Sequence, residues 1–325
     1  MKAIVLLSLT AWLLIGTTMT ALAGAQAETS AYEPVDVEMH LQRVSEHVYY
    51  VQGPPGAATE NQGFISNAGV VVTAAGVVLF DALGSPSLAA LLRQRIREIT
   101  PLPVVKVVVS HYHADHVYGL QVFKAEGAEI IAPRGAQAYL VSEAAERRLQ
   151  ERRESLFPWV NEETRLIPPD VIVDHTYRFH LGGLTFEIDP LGSTHSDGDQ
   201  TLRVVEDGVL FSGDLIFEGR IPLVAGSNPQ GWLEGLERLD TRGLKVLIPG
   251  HGAATHEPQK AVVFTRDYLR FLHDGMAQAV EEMQPFAEAY AAMDWSRYKN
   301  MPAAVANRLN AYYVYLALEA KSMEE

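Results

Sequence analysis

The stretch that decides the fold is Val104-Val105-Lys106-Val107-Val108-Val109-Ser110-His111-Tyr112-His113-Ala114-Asp115-His116. Its first half is a run of β-branched residues, which predicts a buried strand. Its second half places three histidines and one aspartate within six residues, where that strand gives way to a loop. Imidazole and carboxylate groups together suit zinc or iron. A polar turn rich in histidine is the plainer interpretation, but the H-x-H-x-D-H spacing favours a metal site.

Three later segments carry further ligand types, each close to the end of a predicted strand. His195 follows a strand over 184–188, Asp214 is expected just past a strand over 209–211, and His251 follows a strand over 245–248. Glycines in these segments let the backbone turn sharply, and loops at strand ends commonly carry functional groups. Each segment alone is weak, but together they extend the first cluster.

Length and composition describe an ordinary globular protein. A chain of 325 residues with 48% hydrophobic and 20% charged residues can bury a sizeable core, in one large or two small domains. The net charge of -14, from 26 basic and 40 acidic residues, argues against nucleic acid or an anionic membrane as a partner. The sequence contains no cysteine, so neither a disulfide nor a thiolate ligand is available.

The first 27 residues are typical of a secretion signal. Lys2 precedes an apolar run from Ala3 to Ile15, and Ala25-Gln26-Ala27 is an A-x-A cleavage site; a cut after Ala23 is an alternative. An apolar run of about 13 residues is too short to span a bilayer of roughly 30 Å. We therefore expect a periplasmic or secreted protein whose mature chain begins near Glu28, with no membrane insertion after cleavage.

The remainder of the chain predicts alternating strands and helices, then a helical tail. The predicted strands are 47–51, 63–67, 69–73, 76–80, 104–109, 129–132, 184–188, 209–211 and 245–248. Ser85-Pro86 and Asn228-Pro229 are typical helix starts, and the second of these helices carries Trp232, which we expect in the core. Residues 53–62 predict a flexible loop, and mixed charges over 143–154 predict a solvated helix face.

The ordered set of ligand candidates resembles that of the metallo-β-lactamase superfamily over roughly residues 44–256. The set is His111, His113, Asp115, His116, His195, Asp214 and His251. This resemblance implies an α/β fold, a four-layer αββα metallo-β-lactamase sandwich with a C-terminal helical extension. It divides the chain into a signal peptide (1–27), a metallo-β-lactamase-like domain (28–256) and the extension (257–325).

The resemblance also implies two metal ions per chain, zinc in the first instance, with iron or manganese possible. It divides the ligands between one metal bound by His111, His113 and His195, a second bound by Asp115, His116 and His251, and a bridge formed by Asp214. Asp81, at the end of an early predicted strand, would support the ligands from behind.

The implied chemistry is hydrolysis of a small molecule. A single zinc already lowers the pKa of its water to about 7, so hydroxide is available at neutral pH. A hydroxide shared by two metals would attack an ester, thioester or lactam-type carbonyl. Asp115 and Asp214 are the catalytic candidates, because either carboxylate could relay the proton. No sequence pattern indicates the oligomeric state.

Asp214 bears on the branch of the family. One lactamase branch has cysteine at this position and another lacks an acidic bridge, so Asp214 favours the glyoxalase II-like metal set. The secretion signal fits a lactamase better, however, and Arg266 and Arg270 do not make an evident glutathione site. The chain is most similar to exported zinc hydrolases associated with quinoprotein and sulfur-oxidation systems.

Other functions and pocket residues stay open at this point. The alternatives are a β-lactamase proper, a persulfide dioxygenase-like oxidoreductase with one iron held by two histidines and an aspartate, and a metal-binding protein without turnover. Phe64, Tyr112 and Tyr118 could line a pocket or pack in the core. The segment 157–160 could overhang the pocket or be buried.

Overall fold

The structure, a computed structural model, describes residues 32–324, so the predicted signal peptide lies outside the described residues. Its strands form two mixed sheets that pack face to face, with helices on both outer faces. This is the four-layer αββα sandwich that the sequence predicts.

The first sheet has seven strands whose order in space is their order in the chain. They are β1 (Gln42–Arg43), β2 (Val48–Val51), β3 (Ala68–Thr73), β4 (Gly76–Phe80), β5 (Val104–Val108), β6 (Glu129–Pro133) and β7 (Val171–Val173). The pairs from β1 to β4 are antiparallel and those from β4 to β7 are parallel. The loop that carries His111 follows the carboxyl end of β5, in this parallel half.

The second sheet has five strands in the order β12-β11-β10-β9-β8. They are β8 (Tyr177–Leu181), β9 (Leu184–Gly192), β10 (Asp199–Val204), β11 (Val209–Phe217) and β12 (Val246–His251). Only the edge pair β11–β12 is parallel within this sheet. Parallel pairing brings the carboxyl ends of these two strands, and the ligand candidates that they carry, to the same end of the sheet.

Nine α-helices cover the sheets or form the C-terminal region within residues 32–324. They are α1 (Pro86–Ile99), α2 (Ala114–Val117), α3 (Leu120–Ala125), α4 (Gly135–Leu140), α5 (Glu143–Ser155), α6 (Pro229–Arg238), α7 (Pro258–Glu281), α8 (Phe286–Ala292) and α9 (Asn307–Glu324). As the sequence predicts, Ser85 and Asn228 cap α1 and α6 through their side-chain oxygens. Among the described residues, no helix is both long and apolar enough to span a membrane.

Three apolar clusters fill the spaces between the four layers. One lies between the first sheet and α1, α3 and α5, one between the two sheets, and one between the second sheet and helices α6 to α9. Between the sheets, the rings of Phe80 and Phe211 stack with centroids 5.3 Å apart. Gly69 permits this approach, because a Cβ there would lie 2.2 Å from the Phe211 ring.

Two strand predictions are wrong, for identifiable reasons. Residues 63–67 form no strand, because Asn67 donates its hydrogen bonds across to the second sheet, to the carbonyls of Pro249 and Gly250 in β12 and of Gly252 just after it. The strand predicted over 209–211 continues to Phe217, so Asp214 lies inside β11 and not in a loop after it. Two register shifts in the β11–β12 pairing, one on each side of Gly213, fall within this extension.

The side chains considered as pocket residues are mostly core. Phe64, Tyr112 and Tyr118 are all buried, and the Tyr112 hydroxyl donates to the Ile167 carbonyl at 2.8 Å. In the segment 157–160, Val160 is buried whereas Phe157 is 70% exposed. Only Phe157 of these five side chains is free enough of packing to meet a ligand from outside.

The Asp207 carboxylate ties the start of the first sheet to the turn between β10 and β11. It accepts hydrogen bonds from the Ser45 hydroxyl, from the His47 amide nitrogen at 3.0 Å, and from His47 Nδ1 at 2.9 Å. Burial acts to raise the pKa of Asp207, but the bonds from Ser45 and His47 outweigh it and lower that pKa. The folded state therefore stabilises the charged form of this carboxylate.

We predict that Asp207→Asn lowers the free energy of unfolding by roughly 1 kcal/mol at pH 7, because charge-assisted bonds to a partly screened carboxylate become neutral ones. The folded pKa lies below the unfolded value of about 3.9, so this contribution is present above pH 4 and lost as the pH falls through the folded pKa. Urea unfolding at pH 7 and at pH 3 measures it. Asp36→Asn, at an exposed position, is the control; an equal difference at both pH values would contradict the prediction.

Candidate metal centre

The seven ligand candidates meet at one end of the sandwich, from four separate segments. His111 and His113 lie between β5 and α2, Asp115 and His116 begin α2, and the other three come from the second sheet. Their ligand atoms form three overlapping groups, each within 4.8 Å: His111 with His113 and His195; His111 with His116 and Asp214; and Asp115 with His116 and His251. The structure thus brings together every site residue that the sequence predicts.

Two glycines give Asp214 its place within β11. Gly213 has φ +52°, a backbone conformation that costs glycine little and other residues more. Gly250, on the neighbouring strand, leaves room for the carboxylate, since a Cβ there would lie 1.9 Å from Asp214 Oδ1. In a regular strand, successive side chains point to alternate faces of the sheet. The bulge in β11 departs from this pattern and lets the Asp214 side chain face the histidines.

The distances between ligand atoms match the spacing that a metal imposes. Asp214 Oδ1 lies 3.4 Å from His116 Nε2, and its Oδ2 lies 3.4 Å from His195 Nε2 and 3.3 Å from His251 Nε2. Asp115 Oδ2 lies 3.3 Å from His251 Nε2. A tetrahedral zinc with bonds of about 2.0–2.1 Å holds its ligand atoms about 3.4 Å apart. The group thus has the spacing of a coordination shell.

Several inward-facing atoms have no other partner. His111 Nε2, His116 Nε2 and Asp214 Oδ1 are buried, and none has a hydrogen-bond partner within the described part of the chain. Buried polar atoms are normally satisfied, and a metal ion would satisfy these three together. The donor set, imidazole nitrogen and carboxylate oxygen, fits zinc or iron.

The outward nitrogens of three histidines are hydrogen-bonded, which fixes the rings. His111 Nδ1 lies 2.9 Å from the Ser110 hydroxyl, His116 Nδ1 lies 2.8 Å from Asp81 Oδ2, and His251 Nδ1 lies 2.7 Å from the Ile65 carbonyl oxygen. Such bonds leave Nε2 facing inward and orient it for a metal.

Asp81 supports two of these histidines at once. Its carboxylate accepts from the Ser110 amide at 2.7 Å, from the Ser110 hydroxyl at 2.8 Å, and from His116 Nδ1. Its own backbone has φ +65°, which is uncommon outside glycine. The supporting position that the sequence suggests for Asp81 is therefore what the geometry shows.

The electrostatics divide the histidines into two kinds. Burial and the neighbouring imidazoles hold the pKa of His111 well below its ordinary value and lower the pKa of His113 to about 4. At His116 and His251 burial acts the same way, but the carboxylates of Asp115 and Asp214 prevail and raise the pKa of these groups to about 9 and about 10. Protons on these two rings balance the carboxylates, and a bound cation would displace them.

Sequence reasoning missed two residues that shape the centre. Asn67 donates to the carbonyls of Pro249 and Gly252, both at 2.8 Å, and so holds the backbone on either side of His251. The Phe217 ring lies parallel to the His251 ring, with centroids 5.9 Å apart and planes 9° from parallel. No local pattern marks Asn67 for this role, because Pro249 and Gly252 lie more than 180 residues away in the sequence.

Comparison with known families agrees with this geometry. The sequence profile described as "Metallo-beta-lactamase superfamily" matches residues 61–251, which is more than half of the chain. The protein belongs to the metallo-β-lactamase superfamily. Among individual relatives, metallo-beta-lactamase IND-1 of Chryseobacterium indologenes is 23% identical over 238 residues, which cover 72% of this chain and 87% of that protein.

Two solved structures show how far the fold is shared. A metallo-beta-lactamase from Pontibacter korlensis matches 72% of this chain and 99% of its own, with 19% identity and a TM-score of 0.56. The sec-alkylsulfatase Pisa1 from Pseudomonas sp. matches 86% of this chain and 50% of its own, with 19% identity and a TM-score of 0.69. The second match is longer than residues 1–256, so it includes part of the C-terminal helices.

We predict that zinc stabilises the protein and that His251→Ala weakens this effect. Zinc at about one hundred times its Kd adds about 2.7 kcal/mol per site to the free energy of unfolding, and His251→Ala removes one ligand. Thermal unfolding with EDTA or with added zinc measures the shift. His256→Ala, at an exposed position in the following loop, should respond as the wild type does; equal zinc-induced shifts in both variants would exclude His251 as a ligand.

Proposed function

We propose that the protein is an exported dinuclear zinc hydrolase that cleaves an ester, thioester or lactam-type carbonyl in a small molecule. The observation that carries this proposal is the position of Asp214. Its two carboxylate oxygens face different histidines, Oδ1 toward His116 and Oδ2 toward His195 and His251. A carboxylate so placed is suited to two cations rather than one.

The ligands would divide between two ions according to their proximity. The sets are His111, His113 and His195 for one ion, Asp115, His116 and His251 for the other, and Asp214 between them. When bound, two such ions supply a water of lowered pKa and a Lewis acid that polarises the bond to be cleaved.

The side chains themselves determine where a substrate enters and where a proton is held. His113 and Asp115 are partly exposed, whereas His111, His116, His195, Asp214 and His251 are buried. Solvent and substrate therefore reach the centre at the His113–Asp115 side. Asp115, at the opening, is placed to take a proton from the attacking water at a carboxylate oxygen and to return it to the leaving atom.

The ligand set supports a hydrolase with two metals over the alternatives with one. A mononuclear iron site needs two histidines and one carboxylate. It would leave three of the five histidines without a metal, although four of the five are buried. The relatives point the same way, since those named above are lactamases and a sulfatase. Export is supported by the signal-like pattern of residues 1–27.

Metal analysis separates these functions. We predict about two zinc ions per chain after purification and dialysis, because seven ligand atoms converge at metal spacing. Elemental analysis together with oxygen-electrode measurements would show this. One iron per chain with oxygen consumption on a persulfide substrate would instead support the dioxygenase.

We predict that Asp214→Asn lowers kcat/KM by more than about 100-fold, because residues that merely support a metal ligand already contribute about 10–100-fold. The assay uses a chromogenic cephalosporin, a panel of esters and thioesters, and a secondary alkyl sulfate, which tests the chemistry of the sulfatase relative. Asp197→Asn, at an exposed position in the His195 loop, should retain activity.

The outcome across the panel decides the substrate class. Hydrolysis of the cephalosporin alone would make the protein a β-lactamase proper, and hydrolysis of the sulfate alone would replace carbonyl cleavage by sulfate-ester cleavage. If wild type and Asp214→Asn are equally inactive on every substrate while zinc is bound, the proposal of carbonyl hydrolysis is wrong.

A further inference from the structure

His195 is held in place differently from the other buried histidines of the centre. His111, His116 and His251 each engage their outward nitrogen in a hydrogen bond. His195 Nδ1 is equally buried, yet it has no hydrogen-bond partner among the residues described. The usual means of orienting a metal-binding imidazole through its second nitrogen is therefore absent at His195.

The backbone on both sides of His195 is instead fastened to one carboxylate, that of Asp199. Asp199 Oδ2 accepts from the Thr194 hydroxyl at 2.6 Å, from the Thr194 amide at 3.3 Å, and from the Ser196 amide at 2.8 Å. Asp199 Oδ1 accepts from the Ser196 hydroxyl at 2.9 Å. The residues before and after His195 thus share one buried anchor.

This anchor is in turn joined to the loop that carries His111 and His113. Gln200 is next to Asp199 in β10. Its backbone amide donates to the Ser110 carbonyl at 3.0 Å, and its side-chain Nε2 donates to the Val109 carbonyl at 2.8 Å. The start of β10 therefore spans the two sheets. Its hydrogen bonds join the His195 loop to the loop that carries His111 and His113.

The ring of His195 has apolar walls that complete its placement. Its centroid lies 5.2 Å from the Trp232 ring, edge to face, and 6.0 Å from the Phe217 ring. These contacts limit rotation of the ring, but they do not set the position of the backbone from which it projects. That backbone is held by the four hydrogen bonds to Asp199 and by the Asn228 amide, which donates to the Thr194 carbonyl at 2.9 Å.

We infer that Asp199 is a positioning residue for the three-histidine metal site. By fixing Thr194 and Ser196, it sets the 3.0 Å separation between His195 Nε2 and His113 Nδ1, the pair that would share one ion. This inference rests on the proposed function, since it concerns metal binding by His195.

The test compares Asp199→Asn and Thr194→Val with the wild-type protein and with Thr176→Val. Thr194→Val is isosteric and removes only one bond, so it keeps the test informative if Asp199→Asn does not fold. Thr176→Val removes a Thr–Asp hydrogen bond of the same 2.6 Å length, at an exposed site just before β8. Readouts are the affinity of each zinc by chelator competition, the visible spectrum of the Co²⁺-substituted protein, and urea unfolding of the metal-free protein.

We expect one of the two zinc affinities to fall about 10–100-fold in Asp199→Asn and about 10-fold in Thr194→Val, with a changed Co²⁺ spectrum for that ion. The other affinity should stay at the wild-type value, and Thr176→Val should match the wild type throughout. A wild-type affinity and Co²⁺ spectrum in both variants would overturn the inference, as would equal weakening of both ions in proportion to lost stability. A wild type that binds no metal would overturn the proposed function as well.

Discussion

The buried carboxylate of Asp214 is the constraint on which the rest of the centre depends. A charge taken out of water is costly unless opposite charge and hydrogen bonds offset it. Asp214 meets His116, His195 and His251 at 3.3–3.4 Å, and these contacts hold its pKa below the ordinary range although burial acts to raise it. Either protons on the imidazoles or bound cations can supply the balancing positive charge. The same arrangement of side chains accommodates both.

The backbone around Asp214 is shaped to admit that charge. Gly213 takes a left-handed conformation, and Gly250 leaves no side chain where Asp214 Oδ1 lies. On the opposite sheet, Asp81 also has a positive φ and supports Ser110 and His116. Uncommon conformations of this kind persist where surrounding contacts determine them, and they concentrate at functional sites. Here they lie on both sides of one centre.

The C-terminal helices support the strand that carries Asp214. Thr265, in α7, accepts from the Phe217 amide at 3.2 Å at the end of β11, and the Phe217 ring lies against His251. Leu215, Ile216 and Phe217 share one apolar cluster with residues of α7, α8 and α9. The match to the sulfatase structure includes helices beyond the lactamase-like part, whereas the lactamase match covers 72% of the chain. The extension is therefore part of what holds the centre, and not an appendage to it.

The sequence by itself predicted the seven ligand candidates, because the β-branched runs and glycines beside them are local signals. It also predicted most strands, the capped starts of α1 and α6, and the core position of Trp232. It placed Asp214 in a loop, whereas the structure shows a strand. It left Phe64, Tyr112 and Tyr118 open between a pocket and the core, and the structure shows all three buried.

Only the tertiary structure decided how the ligand candidates are held. Asn67 meets Pro249 across 182 residues of sequence, and Gln200 meets Val109 across 91. The hydrogen-bonding capacity of an Asn or Gln side chain is the same on a surface as in a core, so its type alone does not reveal its partner. Those partners are fixed when the two sheets pack face to face, and that packing brings four distant segments to one centre.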